Sequence, residues 1–182
     1  MAVRPVRIYG DPVLRVKSAE VTTFDDSLRE LVRDMHETMQ AYQGVGLAAN
    51  QVGVAQKIFV IDVPMDDGSR VKRAIANPVI DRRAGSETAE EGCLSMPGIY
   101  EDISRSLRCR VRGRDEFGEP VEFEAEGYLA RAIQHEADHL NGVLFTDRLS
   151  PLRRQFLRKP LDALARGEMP EAYHPAKGKG PR

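Results

Sequence analysis

Two histidines four residues apart, with a glutamate directly after the first, constrain this chain more than any other feature. His135, Glu136 and His139 lie in the segment QHEADHLNG. If the segment is helical, residues i and i+4 share one face, so both imidazoles can bind one metal ion from a single turn. Glu136 points roughly 100° around that turn, where it can reach a water molecule at the ion. This pattern is typical of two metal ligands and a general base.

The competing interpretation of the motif is a polar helix face with two solvated or capping histidines. Only four histidines occur in the 182 residues, and two of them have this spacing. We therefore favour the metal site.

Composition limits the class of protein around the motif. A chain of 182 residues with 41% hydrophobic and 30% charged residues is typical of one globular domain. It contains neither an apolar run of the roughly 18 residues that span a membrane nor the apolar segment of a secretory signal. Cys93 and Cys109 are therefore interpreted as thiols, and the cytoplasm is the expected location.

The distribution of charge bears on partners. A formal charge of −1 argues against a dedicated nucleic-acid binder, yet residues 151–182 carry eight Lys/Arg against three Asp/Glu. Such a basic segment predicts either a docking tail for an anionic partner or a tail that only aids solubility.

The order of predicted elements indicates an α+β fold with antiparallel sheets. In chain order we predict a helix from Asp25 that ends before Gly44, a strand at 57–63, a strand at 71–80 interrupted at Asn77 and Pro78, a polar loop at 81–90, a glycine- and proline-rich loop with Cys93, a hairpin from 107–113 and 121–125, a helix at 127–140, a short strand at 143–145 and a last helix near 151–165. The helix at 127–140 carries the histidines and has an apolar stripe, so the metal would lie deep in the protein.

The third ligand is not fixed by spacing. A catalytic site needs three protein ligands and one open position, and no further His or Glu follows His139 at a metalloprotease spacing. Cys93 is favoured over Cys109, because it lies in a constrained loop while Cys109 lies within a predicted strand. A closed structural zinc site with Cys109 as a fourth ligand stays open as an alternative.

Three segments of the chain resemble the motifs of bacterial peptide deformylases. They are GVGLAANQ at 44–51, EGCLS at 91–95 and QHEADH at 134–139. The resemblance implies an α+β fold of antiparallel sheets around a central helix carrying HExxH, with a C-terminal helix. It places a catalytic core in residues 1–150 and a helix with a basic tail of the same domain in 151–182. The implied activity removes the formyl group from the N-terminal methionine of nascent polypeptides and releases formate.

The resemblance also implies roles for individual residues. Those implied in metal binding are Cys93, His135 and His139, and those implied in catalysis are Glu136 as general base, with the Gln51 amide and the backbone N–H of Leu94 as donors to the oxyanion. Those implied in substrate binding are Val45, Gly46, Glu91, Gly92, Tyr100, Leu129, Arg131 and Ala132. The implied cofactor is one divalent metal, with Fe(II) favoured and Zn, Ni or Co able to replace it.

Two departures and two other functions accompany this resemblance. Arg131 stands where some members have an aliphatic residue, and Tyr100 where some have arginine, which affects peptide preference rather than chemistry. By the family pattern, Asp138 is expected to pair with Arg105. The same residues also suit a metallo-peptidase or amidase with another acyl substrate. A third hypothesis makes the chain chiefly a ribosome-docking module through its basic 151–182 segment.

Overall fold

In the computed structural model, which describes residues 2–170, two antiparallel sheets surround a central helix. The strands are β1 (Gly46–Ala48), β2 (Ile58–Pro64), β3 (Arg70–Ala84), β4 (Glu87–Cys93), β5 (Met96–Arg105), β6 (Arg108–Arg114) and β7 (Pro120–Glu126). The helices are α1 (Asp26–Ala41), α2 (Gly127–Leu140) and α3 (Pro151–Ala165), with short 3-10 turns at Pro12–Arg15, Ala49–Val52 and Phe145–Arg148. The larger sheet has the order β1-β2-β3-β6-β7, and β4 pairs with β5 in the smaller one. The predicted α+β fold is confirmed.

Helix α1 begins and ends where its sequence predicts. The side chain of Asp25 caps it by accepting the N–H of Leu28, which satisfies one of the unpaired donors of the first turn. Its apolar residues, among them Met35 and Met39, are buried against β1 and β2.

Helix α2 is held in the core by hydrogen bonds to its side chains and to its last carbonyls. Gln134 Nε2 donates to the carbonyl of Ser106 at 2.8 Å. At the other end, Asn50 Nδ2 donates to the carbonyl of His139 at 2.6 Å. The backbone N–H of Ser18 donates to the next carbonyl, that of Leu140, at 2.9 Å. The bonds from Asn50 and Ser18 pair carbonyls at the end of α2. Together with the bond from Gln134, they fix the turn that carries the histidines.

The structure corrects the prediction between residues 71 and 105. Strand β3 continues through Pro78, because register shifts between Ala76 and Val79 form a bulge where no N–H is needed. The predicted polar loop at 81–90 is wrong, since β3 runs to Ala84 and β4 begins at Glu87. Cys93 ends β4 in a tight hairpin with β5, so the expected glycine- and proline-rich loop is also wrong.

The C-terminal part of the described chain contains one more correction. Residues 143–145 form no strand; Leu144 and Phe145 are buried and a 3-10 turn starts at Phe145. Helix α3 follows as predicted, and its Leu161 and Leu164 pack into the same core cluster. Within residues 2–170, no helix combines the length and apolar character that a membrane crossing requires.

Candidate metal centre and active site

The structure brings Cys93, His135 and His139 to one point. Cys93 Sγ lies 3.2 Å from Nε2 of His139, and the two Nε2 atoms also lie 3.2 Å apart. All three donor atoms lie within 4.8 Å of one another. The histidines lie one turn apart on α2, and the cysteine comes from the end of β4.

These donors fit a single metal ion. His135 Nδ1 lies 2.9 Å from the carboxylate of Glu91, and a carboxylate only accepts, so this nitrogen carries the proton and Nε2 presents a lone pair. Two imidazole lone pairs and a thiolate at such distances repel one another unless a cation lies between them. A tetrahedral ion with nitrogen ligands at about 2.0–2.1 Å spaces them about 3.3 Å apart, close to the observed separation.

The electrostatics of the site favour one positive charge at this point. Burial disfavours the charged form of His135, yet Cys93 and Glu91 raise its pKa well above the usual range. Burial and the charge of His135 lower the pKa of His139 well below the usual range. The surroundings therefore favour one positive charge on His135, and a metal ion bound by Nε2 would take the place of the second proton of that ring.

The carboxylate of Glu91 is the link between the histidines and two arginines. It accepts hydrogen bonds from Arg105 Nε and from Arg105 Nη2, the latter at 2.8 Å, and from Arg131 Nη1 at 2.8 Å. Burial by itself would raise the pKa of Glu91, but hydrogen bonds from Arg105 and His135 lower it to about 2. The carboxylate therefore stays ionised and holds the His135 ring in orientation.

The predicted pairing of Asp138 with Arg105 is confirmed, at 2.7 Å. The structure adds Arg148, whose Nε and Nη2 each donate to the Asp138 carboxylate at 2.7 Å. No spacing rule signals Arg148, because it lies beyond the end of α2 and reaches back only through the fold.

The side-chain amide of Gln51 is oriented by its neighbours. Its Oε1 accepts the backbone N–H of Ala48 at 2.8 Å, which fixes which end is the oxygen. Its Nε2 therefore points toward the metal ligands, 3.1 Å from Ser95 Oγ and 3.5 Å from Cys93 Sγ. The position of Ser95 in the EGCLS segment does not by itself predict this contact.

Glu136 is packed directly against Gly46 of β1. A Cβ atom built on Gly46 would lie 2.8 Å from both Cγ and Cδ of Glu136, so only glycine leaves room for this carboxylate. Glu136 Oε2 is buried and, within residues 2–170, has no protein partner. Burial raises the pKa of Glu136 to about 7, which suits a group that accepts and returns a proton near neutral pH.

A cavity of about 600 Å³ opens beside these groups. Every residue predicted for substrate binding lines it except Leu129, which packs into the core instead. The adjacent Tyr128 lines the cavity in its place, a shift of one position and so about 100° around the helix. Gln51 and Leu94 also line it.

Cys109 does not join the ligands. It is fully buried within β6, among the apolar residues of the core, and burial raises the pKa of its thiol. The group of converging donors found in the described chain contains only Cys93 and the two histidines. The alternative of a closed site with four protein ligands therefore has no support.

One cysteine and two histidines from an HExxH helix, with a buried glutamate beside them at the floor of a cavity, define a metal-dependent hydrolase. The sequence pattern of the polypeptide deformylase family matches residues 3–155. The chain belongs to this family, which is metal-dependent.

Individual relatives agree with that assignment. The chain is 48% identical over 166 residues to the peptide deformylase of Alkalilimnicola ehrlichii, covering 91% of this chain and 93% of the relative. A peptide deformylase structure from Legionella pneumophila is 43% identical with a TM-score of 0.83, covering 93% of this chain and 100% of the other. The Ehrlichia chaffeensis peptide deformylase, in complex with actinonin, is 39% identical with a TM-score of 0.85 and the same coverage.

Proposed function

We propose that this chain hydrolyses the formamide bond of N-formylmethionyl peptides and releases formate. The family to which it belongs acts on formylated nascent peptides. The observation that carries the proposal is the meeting of one thiol and two imidazoles beside a buried glutamate at a peptide-sized cavity. We expect the activity in the cytoplasm, where nascent peptides are made.

We assign the metal to Cys93, His135 and His139, with Fe(II) as the physiological ion. One thiolate and two imidazoles accept Zn, Ni and Co as well, so geometry alone does not select among them. When bound, such an ion supplies Lewis-acid activation of a water molecule and of the formyl carbonyl. An iron site with a thiolate ligand is sensitive to oxidation, which calls for anaerobic handling.

Glu136 is proposed to move the proton. Its buried Oε2, which lacks a partner among residues 2–170, supports this role. The carboxylate accepts a proton from the attacking water and delivers it to the amide nitrogen as the C–N bond breaks. The products are formate and a peptide with a free amine.

Gln51 and Leu94 are proposed to stabilise the charge that develops on the formyl oxygen. The hydrogen bond from Ala48 that orients the Gln51 amide supports this role, since it leaves Nε2 directed at the ligand cluster. The backbone N–H of Leu94, the residue after Cys93, is the second donor. Loss of one such donor typically costs about 3–4 kcal/mol of barrier.

The peptide is proposed to bind as an added strand between two sheet edges. β1 is the edge of the larger sheet, and β4 has a partner on only one side. Val45 and Gly46 lie at the first edge and Gly92 at the second, and all three line the cavity. Backbone hydrogen bonds from such edges give affinity without reading side chains.

The methionine side chain is proposed to occupy the part of the cavity near Ala132, beside Tyr100, Tyr128 and the stem of Arg131. Glu91 lines the same region but is engaged by the arginines, so it adds no free charge. We propose that the space next to the metal ligands is narrow enough to admit a formyl group and to disfavour acetyl.

The test compares acyl groups on one peptide. Anaerobically prepared, Fe(II)-loaded protein should release formate from formyl-Met-Ala-Ser, and deacylate acetyl-Met-Ala-Ser at least about 10²-fold more slowly. Glu136→Gln should keep the metal and lose about 10²–10⁴-fold in rate. Equal rates on both peptides would instead support the broader amidase, and a fully active Glu136→Gln variant would refute the base assignment.

We also propose that the outer face of α3 docks on the ribosome. Leu152 and Phe156, one turn apart, are 66% and 69% exposed, and Arg154 and Arg158 on the same helix are exposed as well. The rest of the basic 151–182 segment, beyond residue 170, lies outside the described residues. Cosedimentation with ribosomes should fall for Leu152→Ser with Phe156→Ser, while formate release stays unchanged. Unaltered cosedimentation would refute the docking proposal.

Surface substitutions are preferable to truncation for this test. Leu161 and Leu164 of α3 are buried against Phe145, so removal of residues 151–182 would expose the core. This packing supports our proposal that residues 1–150 form the catalytic core and that 151–182 belong to the same domain.

A further inference from the structure

Arg131 lies on α2 one turn before His135, and both side chains reach the same carboxylate. Arg131 Nη1 lies 2.8 Å from Glu91 Oε1, while His135 Nδ1 lies 2.9 Å from Oε2 of the same group. Residues i and i+4 share a helix face, which explains the convergence. The side chain of Arg131 is only 5% exposed, so its guanidinium mainly contacts other groups of the protein rather than the cavity.

The same guanidinium contacts the backbone of both strands of the β4–β5 hairpin. Nη1 donates to the carbonyl of Ile103 in β5 at 2.8 Å, and Nη2 donates to the carbonyl of Glu87 in β4 at 2.8 Å. Each carbonyl oxygen has two lone pairs, so it accepts this bond in addition to any bond in the sheet. One side chain of α2 thus contacts both strands of the hairpin whose first strand, β4, ends at Cys93.

We propose that Arg131 is a positioning residue of the metal centre, which fixes Glu91 against His135 and ties the hairpin of Cys93 to the helix of both histidines. The inference rests on the proposed metal-dependent function. A residue that only lined the methionine pocket would not need these hydrogen bonds to Glu91 and to the hairpin.

The chemistry of the side chain explains why arginine suits this position. A planar guanidinium presents several donors in a fixed fork, so it reaches a carboxylate and two carbonyls at once. Lysine keeps the charge but offers one compact ammonium, and methionine keeps much of the length without any donor. Partners that orient a ligating histidine typically change metal affinity 10–100-fold when they are lost.

The test titrates Co²⁺ into ion-free protein under anaerobic conditions and follows the visible and thiolate-to-cobalt absorption bands. Arg131→Met should weaken Co²⁺ binding about 10–100-fold, and Arg131→Lys should weaken it to an intermediate extent. Amide exchange in β4 should be faster in Arg131→Met than in the parent. The matched control is Arg153→Met, which removes an arginine paired with Glu101 of the same hairpin at 2.6 Å and should leave Co²⁺ affinity unchanged.

The outcomes separate the two roles of Arg131. Parental Co²⁺ affinity in Arg131→Met, with only KM for formyl-Met peptides altered, would overturn the proposal in favour of a pocket wall. If Arg131→Met does not fold, Arg131→Lys decides, and parental affinity in that variant overturns the proposal. Because Co²⁺ binding needs no turnover, a parent that binds Co²⁺ yet releases no formate would refute the proposed function alone.

Discussion

Replacement of Gly46 by alanine is expected to lower the catalytic rate, because the added methyl group displaces the side chain of Glu136. Gly46 lies in β1 with Glu136 packed on it, and a Cβ there would lie 2.8 Å from Glu136 Cγ and Cδ. Ordinary contacts begin near 3.4 Å, and the carboxylate oxygen Oε1 would lie closer to the new Cβ than either carbon, so the carboxylate has to move by about 1 Å. The displaced atoms belong to the group that we propose as the general base.

The size of the effect follows from that displacement. A misplacement of about 1 Å in a catalytic group can cost about 10²-fold in rate, so Gly46→Ala should lower kcat about 10- to 100-fold, equivalent to about 1.4–2.7 kcal/mol. The added methyl costs about 1–3 kcal/mol of stability through overpacking, offset in part by about 0.5–1 kcal/mol because alanine loses less backbone freedom on folding. Metal content should stay at the parental value.

The assay is formate release per folded, metal-loaded molecule, with urea unfolding measured in parallel. Gly113→Ala is the matched control, since its Cβ would lie 2.7 Å from the carbonyl oxygen of Ala76 and 2.8 Å from Ile75 Cγ2, within the sheet. That variant should lose stability and keep kcat. Parental kcat in Gly46→Ala, with the metal retained, would refute the reasoning that Glu136 acts from this exact packing position.

Three further predictions concern other parts of the molecule. Gln51→Met should lower kcat about 10²–10³-fold with KM little changed, because it removes an oxyanion donor; steady-state kinetics on formyl-Met-Ala-Ser check this, and an unchanged kcat contradicts it. Arg105→Met should lower the free energy of unfolding by about 3–5 kcal/mol in urea titrations, because Glu91 and Asp138 lose their shared buried partner; a loss below about 1 kcal/mol contradicts it. Burial lowers the pKa of His36 from 6.5 to about 4, so between these pH values the unfolded chain binds a proton at His36 that the folded chain does not bind. The contribution of His36 to stability is therefore full above pH 6.5 and declines as the pH falls toward 4. His36→Gln should make the urea-derived free energy of unfolding less dependent on pH in that window, and identical slopes for the variant and the parent contradict this prediction.

The elements that could be predicted from the sequence are those whose signals are local. Helix α1 has an aspartate cap and a helical apolar stripe, and α2 ends at Leu140, directly before Asn141 and Gly142, so periodicity and capping locate both. The β6–β7 hairpin alternates apolar and polar residues around a turn. In each case the residues that decide the structure lie within a few positions of one another.

The elements that could not be predicted depend on distant partners. Strand β4, with the sequence ETAEEGC, has no apolar alternation. It pairs with the adjacent β5 through a two-residue turn, but its contacts with Arg131 come from a residue far along the chain. Residues 143–145 have strand composition but no strand beside them, so they bury their side chains in the core instead. The strand predicted at 71–80 corresponds to β3, but its continuity through Pro78 could not be predicted, because the bulge that accommodates Pro78 is not visible in composition.

The same division applies to the site. His135 and His139 follow from helical spacing, whereas no spacing rule joins residues 42 or more positions apart. Cys93 is favoured over Cys109 only by the residues around it, and the family resemblance then implies the same ligand. The contacts that orient the site, such as Ser95 with Gln51 and Arg148 with Asp138, arise only in the folded chain. Leu129 was predicted to line the cavity, but Tyr128, one position earlier, lines it instead. Helical periodicity resolves such a shift of one position poorly.

The central claim is that Cys93 and two histidines of one helical turn bind the same ion. X-ray absorption on Zn-loaded protein tests it most directly, since sulfur at about 2.3 Å and nitrogen at about 2.0–2.1 Å are resolved as separate shells. We predict one sulfur and two imidazole nitrogens in the parent, the same shells in Cys109→Ser, and no sulfur in Cys93→Ser. A sulfur shell that persists in Cys93→Ser, or that disappears in Cys109→Ser, would contradict the account.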